Sequence, residues 1–111
     1  MHINTIIRRT TLLQQKVAQK LRVKLTSELL FLHLSEEIGE LARELFNKAS
    51  KMRSFRNELL RQELAQAVLD LFALATILSV DLEKELLAKL ADMSRRATLK
   101  RSAMTAANRN N

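Results

Sequence analysis

Apolar residues recur along the chain at the three- and four-residue spacing of amphipathic helices, in four successive segments. These segments cover about residues 5–23, 27–48, 55–78 and 82–96. The first has an apolar stripe made of Ile6, Leu12, Leu13, Val17 and Leu21. Because no helix-breaking residue separates the first two segments, they can also form one bent helix. The pattern predicts an all-α fold.

The composition and the helix-boundary signals strengthen this prediction. The chain has no proline and a single glycine, Gly39, whereas all-β folds need many turn residues. Ser54 and Asp81 are suitable N-caps for the third and fourth helices. The connection over residues 49–54 is short, which makes the second and third helices antiparallel neighbours. The expected architecture is an antiparallel four-helix bundle.

The extent of the domain and its surroundings follow from the same pattern. Residues 1–96 are predicted to form one helical domain, and residues 97–111 a basic, flexible C-terminal tail. The apolar stripes are wider than a surface helix needs, so a homodimer or a dimer of dimers is expected to complete the bundle. The chain has no cysteine, and no segment approaches the roughly 18 apolar residues of a membrane span. A soluble cytoplasmic protein without a membrane partner is expected.

Charge is unevenly distributed. The net charge is +7, basic residues crowd both ends of the chain, and seven of the twelve acidic residues lie between Glu36 and Asp70. Basic ends favour contact with a polyanion, either nucleic acid or nucleotide phosphates, although they are also compatible with ordinary solvated helix surface. The four phenylalanines, without tryptophan or tyrosine, offer few stacking groups for a nucleic acid.

Acidic residues border the apolar stripes of the two central helices. At about 100° per residue, Glu37, Glu40 and His33 flank the stripe of the second helix, while Glu63, Gln66 and Asp70 flank that of the third. If both stripes face one core, the two acidic edges converge. Clustered carboxylates repel unless a cation neutralises them, and Mg²⁺ prefers oxygen ligands. The alternative is plain surface acids at the stripe edge.

Three stretches of this pattern resemble a known family. His33-Leu34-Ser35-Glu36-Glu37-Ile38-Gly39-Glu40 contains a first motif, Glu-Glu-x-x-Glu. The stretch from Glu63 to Asp70 is similar to a second motif, Glu-x-x-Asp followed by an apolar run, and Ser79-Val80-Asp81 precedes the last helix. In this order and spacing they resemble the MazG-like nucleoside triphosphate pyrophosphohydrolases, over about residues 29–96. The family's glycine corresponds to Gly39, for which close helix packing is the expected reason.

The resemblance implies a MazG-like bundle that hydrolyses a nucleoside triphosphate to the monophosphate and pyrophosphate with Mg²⁺, for which Mn²⁺ can substitute. By motif match, the catalytic and metal-binding residues would be Glu36, Glu37, Glu40 and Glu63. Asp70, one turn after Gln66, is expected as a further metal ligand. His33 and the basic residues around the second loop are candidates for binding the triphosphate: Lys48, Lys51 and Arg53.

One departure from the family's pattern leaves two alternatives open. Gln66 stands where the second motif has an aspartate, and a neutral amide is a poorer Mg²⁺ ligand than a carboxylate. The chain can therefore be a diverged member that binds nucleotide and hydrolyses it weakly or not at all, in which case restoring Gln66→Asp should raise turnover. A non-enzymatic basic helical module that binds nucleic acid or protein is the other alternative.

Overall fold

The computed structural model describes residues 2–51 and 55–109, and within them the fold is all-α. It contains four helices, α1 (Ile3–Lys20), α2 (Ser27–Ala49), α3 (Asn57–Ile77) and α4 (Leu82–Arg109), and no strand in the described part. The all-α prediction is confirmed, and the four helices are consistent with a helical bundle. The antiparallel arrangement stays a prediction. The contacts divide the chain into two compact units, Met1–Val80 and Asp81–Asn111.

The junction between α1 and α2 is a true helix end. Arg22 has a φ of 55°, in the left-handed region, and the Val23 N–H donates to the Ala18 carbonyl at 2.9 Å. This is the hydrogen bond of a Schellman C-cap, here formed without glycine. Thr26 then caps α2, because its Oγ1 accepts from the Leu29 N–H at 3.1 Å. The structure therefore has two separate helices here.

The start of α3 is fixed by a side chain of α2. The predicted N-cap Ser54 lies outside the described residues, and Arg56, the N-cap residue, provides no side-chain cap. Instead the Glu44 carboxylate accepts a hydrogen bond from the Arg56 N–H at 3.1 Å. Glu44 is buried, with 6% of its surface exposed. This contact ties the connection between α2 and α3 to the body of α2.

Helix α3 packs against both α1 and α2 within the first unit. The buried apolar residues of α3 are all alanines. Across the described residues, the buried apolar positions are Ala18, Leu30, Leu34, Ala67, Ala73 and Ala75. On α2, Leu30 and Leu34 are buried as the stripe predicts, whereas Ile38 and Leu45 are half exposed. The single chain therefore covers only part of its apolar stripes.

The face of α1 that packs on α3 differs from the predicted one. Leu12, Leu13, Val17 and Leu21 are all more than half exposed. The buried positions of α1 are Thr10, Thr11 and Ala18. The two threonines satisfy their hydroxyls by donating to the Ile6 and Ile7 carbonyls one turn back. Small side chains fit against the alanine-rich surface of α3, which is the physical reason that the leucine stripe does not face it.

Helix α4 forms a unit of its own. The Asp81 Oδ1 accepts from the Lys84 N–H at 3.2 Å, which confirms the predicted N-cap. The helix continues to Arg109, so the predicted helix end near Arg96 is wrong. Residues 97–109 contain no glycine or proline and several good helix formers, so nothing there ends a helix. A flexible tail over residues 97–111 stays a prediction.

The hydropathy of the helices bears on the expected absence of a membrane span. No single helix in the described part of the chain is long and apolar enough to cross a membrane. Taken together, α3 and α4 do meet the same test of length and composition. The cytoplasmic location stays a prediction.

Candidate metal centre

Three carboxylates from two neighbouring helices meet at one place on the first unit. Glu37 and Glu40 lie one turn apart on α2, and Glu63 lies on α3. One carboxylate oxygen of each lies within 4.8 Å of the others. This spacing is compatible with a single cation bound between them. We call these three residues the acidic cluster.

The electrostatics of the acidic cluster are those of crowded carboxylates. A hydrogen bond shared with Glu63, followed by the charge of Glu63, raises the pKa of Glu40. A hydrogen bond shared with Glu37, followed by burial, raises the pKa of Glu63. The Glu63 Oε2 atom is inaccessible to solvent and has no hydrogen-bond partner. Because an unpaired buried carboxylate oxygen is costly, a bound cation would relieve both the repulsion and the missing contact.

Two of the predicted metal ligands are not part of the acidic cluster. Glu36 is exposed and lies outside it. Asp70 follows Glu63 by seven residues, a distance of about 10 Å along the helix axis. Its side chain is fully buried. Its carboxylate oxygens have hydrogen-bond partners on protein side chains, and the expectation that Asp70 is a metal ligand stays a prediction.

Three side chains from three helices donate to Asp70. Gln14 Nε2 of α1 and Gln66 Nε2 of α3 reach Oδ1 at 3.0 and 2.9 Å. His33 Nδ1 of α2 lies 2.8 Å from Oδ2. A carboxylate has no donor to offer, so the Nδ1 of His33 carries a proton. Asp70 is therefore the polar centre at which α1, α2 and α3 meet.

His33 connects this centre to the acidic cluster. Its Nε2 lies 3.5 Å from Glu37 Oε1, while its Nδ1 is held by Asp70. Partial burial lowers the pKa of His33, but the hydrogen bond and charge of Asp70 together with the charges of Glu37 and Glu36 outweigh it, and the net pKa is raised. His33 therefore takes up a proton more readily than a free histidine does, and its Nε2 would then donate to the Glu37 carboxylate.

The basic candidates for triphosphate binding lie apart from the acidic cluster. Lys48 follows Glu40 by eight residues, about 12 Å along α2, and its Nζ lies 6.0 Å from the centre of the Phe55 ring. Lys51 is exposed and has a φ of 55°. Arg53 lies outside the described residues. The described contacts therefore place His33, but neither lysine, next to the acidic cluster.

Sequence reasoning missed Gln14 and the role of Gln66. Gln14 belongs to a run of small or neutral polar residues, with Thr10, Thr11 and Ala18, on the buried side of α1. Neutral polar residues at three- and four-residue spacing were the available signal that this face, and not the leucine stripe, is internal. The family motif predicts position 66 as a metal ligand, whereas the Gln66 amide donates to Asp70.

Comparison with known proteins gives no relative for this arrangement. No family model, no curated protein and no solved structure matches the chain. The likeness to the MazG-like family accordingly depends on the motifs alone.

Proposed function

We propose that this chain is a Mg²⁺-dependent nucleotide pyrophosphohydrolase of the MazG-like type, which converts a nucleoside triphosphate to the monophosphate and pyrophosphate. The observation that supports the proposal most is the convergence of Glu37, Glu40 and Glu63 from two helices. The unpartnered Oε2 of Glu63 fits a cation ligand. Mn²⁺ has similar ligand preferences and can substitute for Mg²⁺ in this proposal.

Each residue of the acidic cluster has a definable task in this proposal. Glu37, Glu40 and Glu63 would hold the cation through carboxylate oxygens. The cation would supply positive charge that neutralises phosphate oxygens and polarises the reacting phosphorus centre. His33 orients Glu37 through its Nε2 and is itself fixed by Asp70. Glu36, the neighbour of Glu37 in the chain, is exposed, and its task in this proposal would be to orient the attacking water.

We also propose that the chain forms a homodimer or a dimer of dimers, because a single chain leaves its apolar stripes incompletely covered. Ile38, Leu45, Leu64 and Leu71 are each about half exposed on the single chain. Apolar surface of this extent is typical of an interface with another chain. Association of copies would cover this surface and place α2 and α3 of each chain beside the partner.

The test is pyrophosphate release from a panel of ribo- and deoxyribonucleoside triphosphates in Mg²⁺. We expect release with the native chain and a loss of at least about a hundredfold in Glu40→Gln, which keeps the size of the side chain and removes one ligand charge. Glu58→Gln is the matched control, since Glu58 is an exposed acid in the first turn of α3. No release from any nucleotide, or equal release from both variants, would refute the proposal.

A diverged nucleotide-binding protein is the second candidate, and the position of Gln66 favours it. The amide at the family's aspartate position donates to Asp70, which leaves three carboxylates in the acidic cluster. With fewer ligand charges, a metal–nucleotide complex can bind without rapid hydrolysis. Equilibrium binding of a nucleoside triphosphate in Mg²⁺ without pyrophosphate release would favour this candidate over the enzyme. Binding of nucleic acid that weakens steeply with salt would instead favour the basic module.

A further inference from the structure

The exposed side of α1 is apolar. Because α1 packs on α3 through small side chains, its leucine stripe stays in contact with solvent, and Leu13, Val17 and Leu21 are 61%, 56% and 68% exposed. These three positions lie within about 80° of one another around the helix. They form one wall of an open groove of about 470 Å³, which continues over Leu25 and Leu29. The first unit therefore presents a continuous apolar surface along α1.

A row of basic side chains runs beside this apolar surface. Arg9, Lys16 and Lys20 are exposed and lie within about 40° of one another on α1, next to the exposed leucines in the helical projection. They extend over about 16 Å along the helix axis. Arg22 and Lys24 follow in the connection to α2 and are also exposed. We call Arg9, Lys16 and Lys20 the basic row.

The charge of this surface is not neutralised within the chain. Residues 1–27 contain no acidic residue and six basic ones, which are Arg8, Arg9, Lys16, Lys20, Arg22 and Lys24. In the described part of the chain, none of these six side chains forms an ion pair. No described residue that lines the groove is acidic. The surface is therefore apolar and positively charged at the same time.

This combination favours one class of partner over two others. A second copy that used the same surface would bring two basic rows together, because a two-fold contact pairs each patch with itself. A nucleic acid would neutralise the basic row but leave the leucines in water, and α1 has no aromatic side chain on which a base could stack. A bilayer with anionic phospholipids offers phosphates to the basic row and an apolar layer to the leucines.

We propose that α1 docks this protein on the surface of a bilayer that contains anionic phospholipids. The helix lies parallel to the surface, with Leu13, Val17 and Leu21 inserted between the headgroups and the basic row on the phosphates. The contact is peripheral and needs no spanning helix. It departs from the expectation of no membrane partner, which followed from the lack of a spanning segment alone. It involves neither the acidic cluster nor the proposed reaction, and so goes beyond the proposed function.

The experiment is sedimentation of the full chain with lipid vesicles, without nucleotide or Mg²⁺. We expect binding to vesicles of equal parts phosphatidylcholine and phosphatidylglycerol, and binding at least about tenfold weaker to pure phosphatidylcholine, because each basic side chain gains free energy only at an anionic surface. Added salt should weaken the binding to the anionic vesicles. No binding to them, or equal binding to both compositions, would overturn the inference.

Charge variants assign the binding to α1. Lys16→Gln combined with Lys20→Gln removes two charges of the basic row and should weaken binding to the anionic vesicles by at least about tenfold. Lys84→Gln combined with Lys89→Gln makes the same change at exposed positions of α4 and should leave the affinity unchanged. Equal losses in the two variants would show that binding follows net charge alone, and the inference would fail.

Leucine variants separate docking from other occupants of the surface. Leu13→Gln combined with Leu21→Gln should weaken vesicle binding, whereas Leu87→Gln with Leu90→Gln, at equally exposed positions of α4, should not. If the α1 variant instead binds vesicles normally, or changes only the mass of the chain in light scattering, the leucines do not enter a bilayer and the inference is wrong. Tighter binding to duplex DNA than to anionic vesicles at the same salt would assign the basic row to nucleic acid and overturn it as well.

Discussion

At the scale of single residues, the interaction around Asp70 explains more of this structure than any other contact. A fully buried carboxylate would be strongly unfavourable by itself. Donors from α1, α2 and α3 surround it, namely Gln14, His33 and Gln66. His33 also lies 3.5 Å from Glu37, and Gln14 Oε1 is left buried without a hydrogen-bond partner. One buried acid thus connects three helices and holds the histidine that lies beside the candidate metal centre.

Removal of this carboxylate should destabilise the protein strongly. Asp70→Ala leaves three donors without an acceptor, and we expect a loss of about 3 kcal/mol or more in the free energy of unfolding by urea. Asp92→Ala is the matched control, because Asp92 pairs with Arg95 and Arg96 on the exposed side of α4. The control should lose less than about 1 kcal/mol. Equal losses would show that the network around Asp70 contributes little.

An acidic residue at position 66 should harm the protein, in contrast to the expectation from the family motif. Gln66→Glu keeps the size of the side chain but places a second carboxylate 2.9 Å from Asp70. We expect a loss of roughly 2 kcal/mol at pH 7 and a smaller loss at pH 5, where the pair can share a proton. Gln62→Glu, an exposed position on α3, is the control for thermal melts at both pH values. Higher stability or turnover in Gln66→Glu would contradict the structure.

Cation binding at the acidic cluster should depend on pH in a defined direction. The pKa values of Glu40 and Glu63 are raised in the folded chain, so the folded state holds protons more tightly than the unfolded state. Without metal, this contribution favours folding below the pKa of an ordinary glutamate. It is lost as the pH rises through the raised folded values, where the carboxylates ionise and repel.

Mg²⁺ should therefore stabilise the chain more at pH 7.5 than at pH 5, because at pH 5 it competes with protons. The measurement is the shift in Tm between Mg²⁺ and a chelator at each pH. Glu63→Gln should reduce the shift at pH 7.5 and raise the Tm measured in the chelator. A Mg²⁺ effect that is independent of pH, or unchanged in Glu63→Gln, would exclude the acidic cluster as the binding site.

At the scale of the helices, α2 carries a glycine that its own chain does not require. Gly39 lies in mid-helix, between the cluster residues Glu37 and Glu40, and an added Cβ would meet no atom within 4 Å. The expectation of close helix packing at this position is therefore not met within the single chain. A mid-helix glycine costs about 1 kcal/mol relative to alanine.

Gly39→Ala should consequently stabilise the chain by about 1 kcal/mol, as measured by chemical denaturation at a concentration that keeps it monomeric. Ala42→Gly, an exposed position of α2 one turn later, is the reverse control and should destabilise by a similar amount. If Gly39→Ala instead weakens association of the chains, the glycine is needed where another copy packs on α2.

At the scale of the whole molecule, the chain leaves much apolar surface uncovered. Many leucines on α1 to α3 are more than half exposed, while the buried apolar residues are few and mostly alanine. A chain of 111 residues with such a core gains little free energy from burial by itself. Association of several copies would bury the exposed leucines and so increase the free energy gained from burial.

Light scattering at micromolar concentration should give the mass of two or four chains. Leu71→Lys places a charge on the half-exposed stripe of α3 and should shift the population to single chains. Glu58→Lys, which changes an exposed polar position of the same helix, should leave the mass unchanged. A native chain that is monomeric in this range would refute the proposed oligomer.

The sequence by itself determined the helical class, the start of α4, and the acids that α2 and α3 could bring together. These are consequences of local spacing, composition and capping, which are read along one helix at a time. Only the tertiary structure decided that α1 packs through Thr10, Thr11 and Ala18, and that Asp70 belongs to a buried hydrogen-bond centre. The direction in which a side chain at the edge of a stripe turns depends on the neighbouring helices, and helix periodicity contains no information about them.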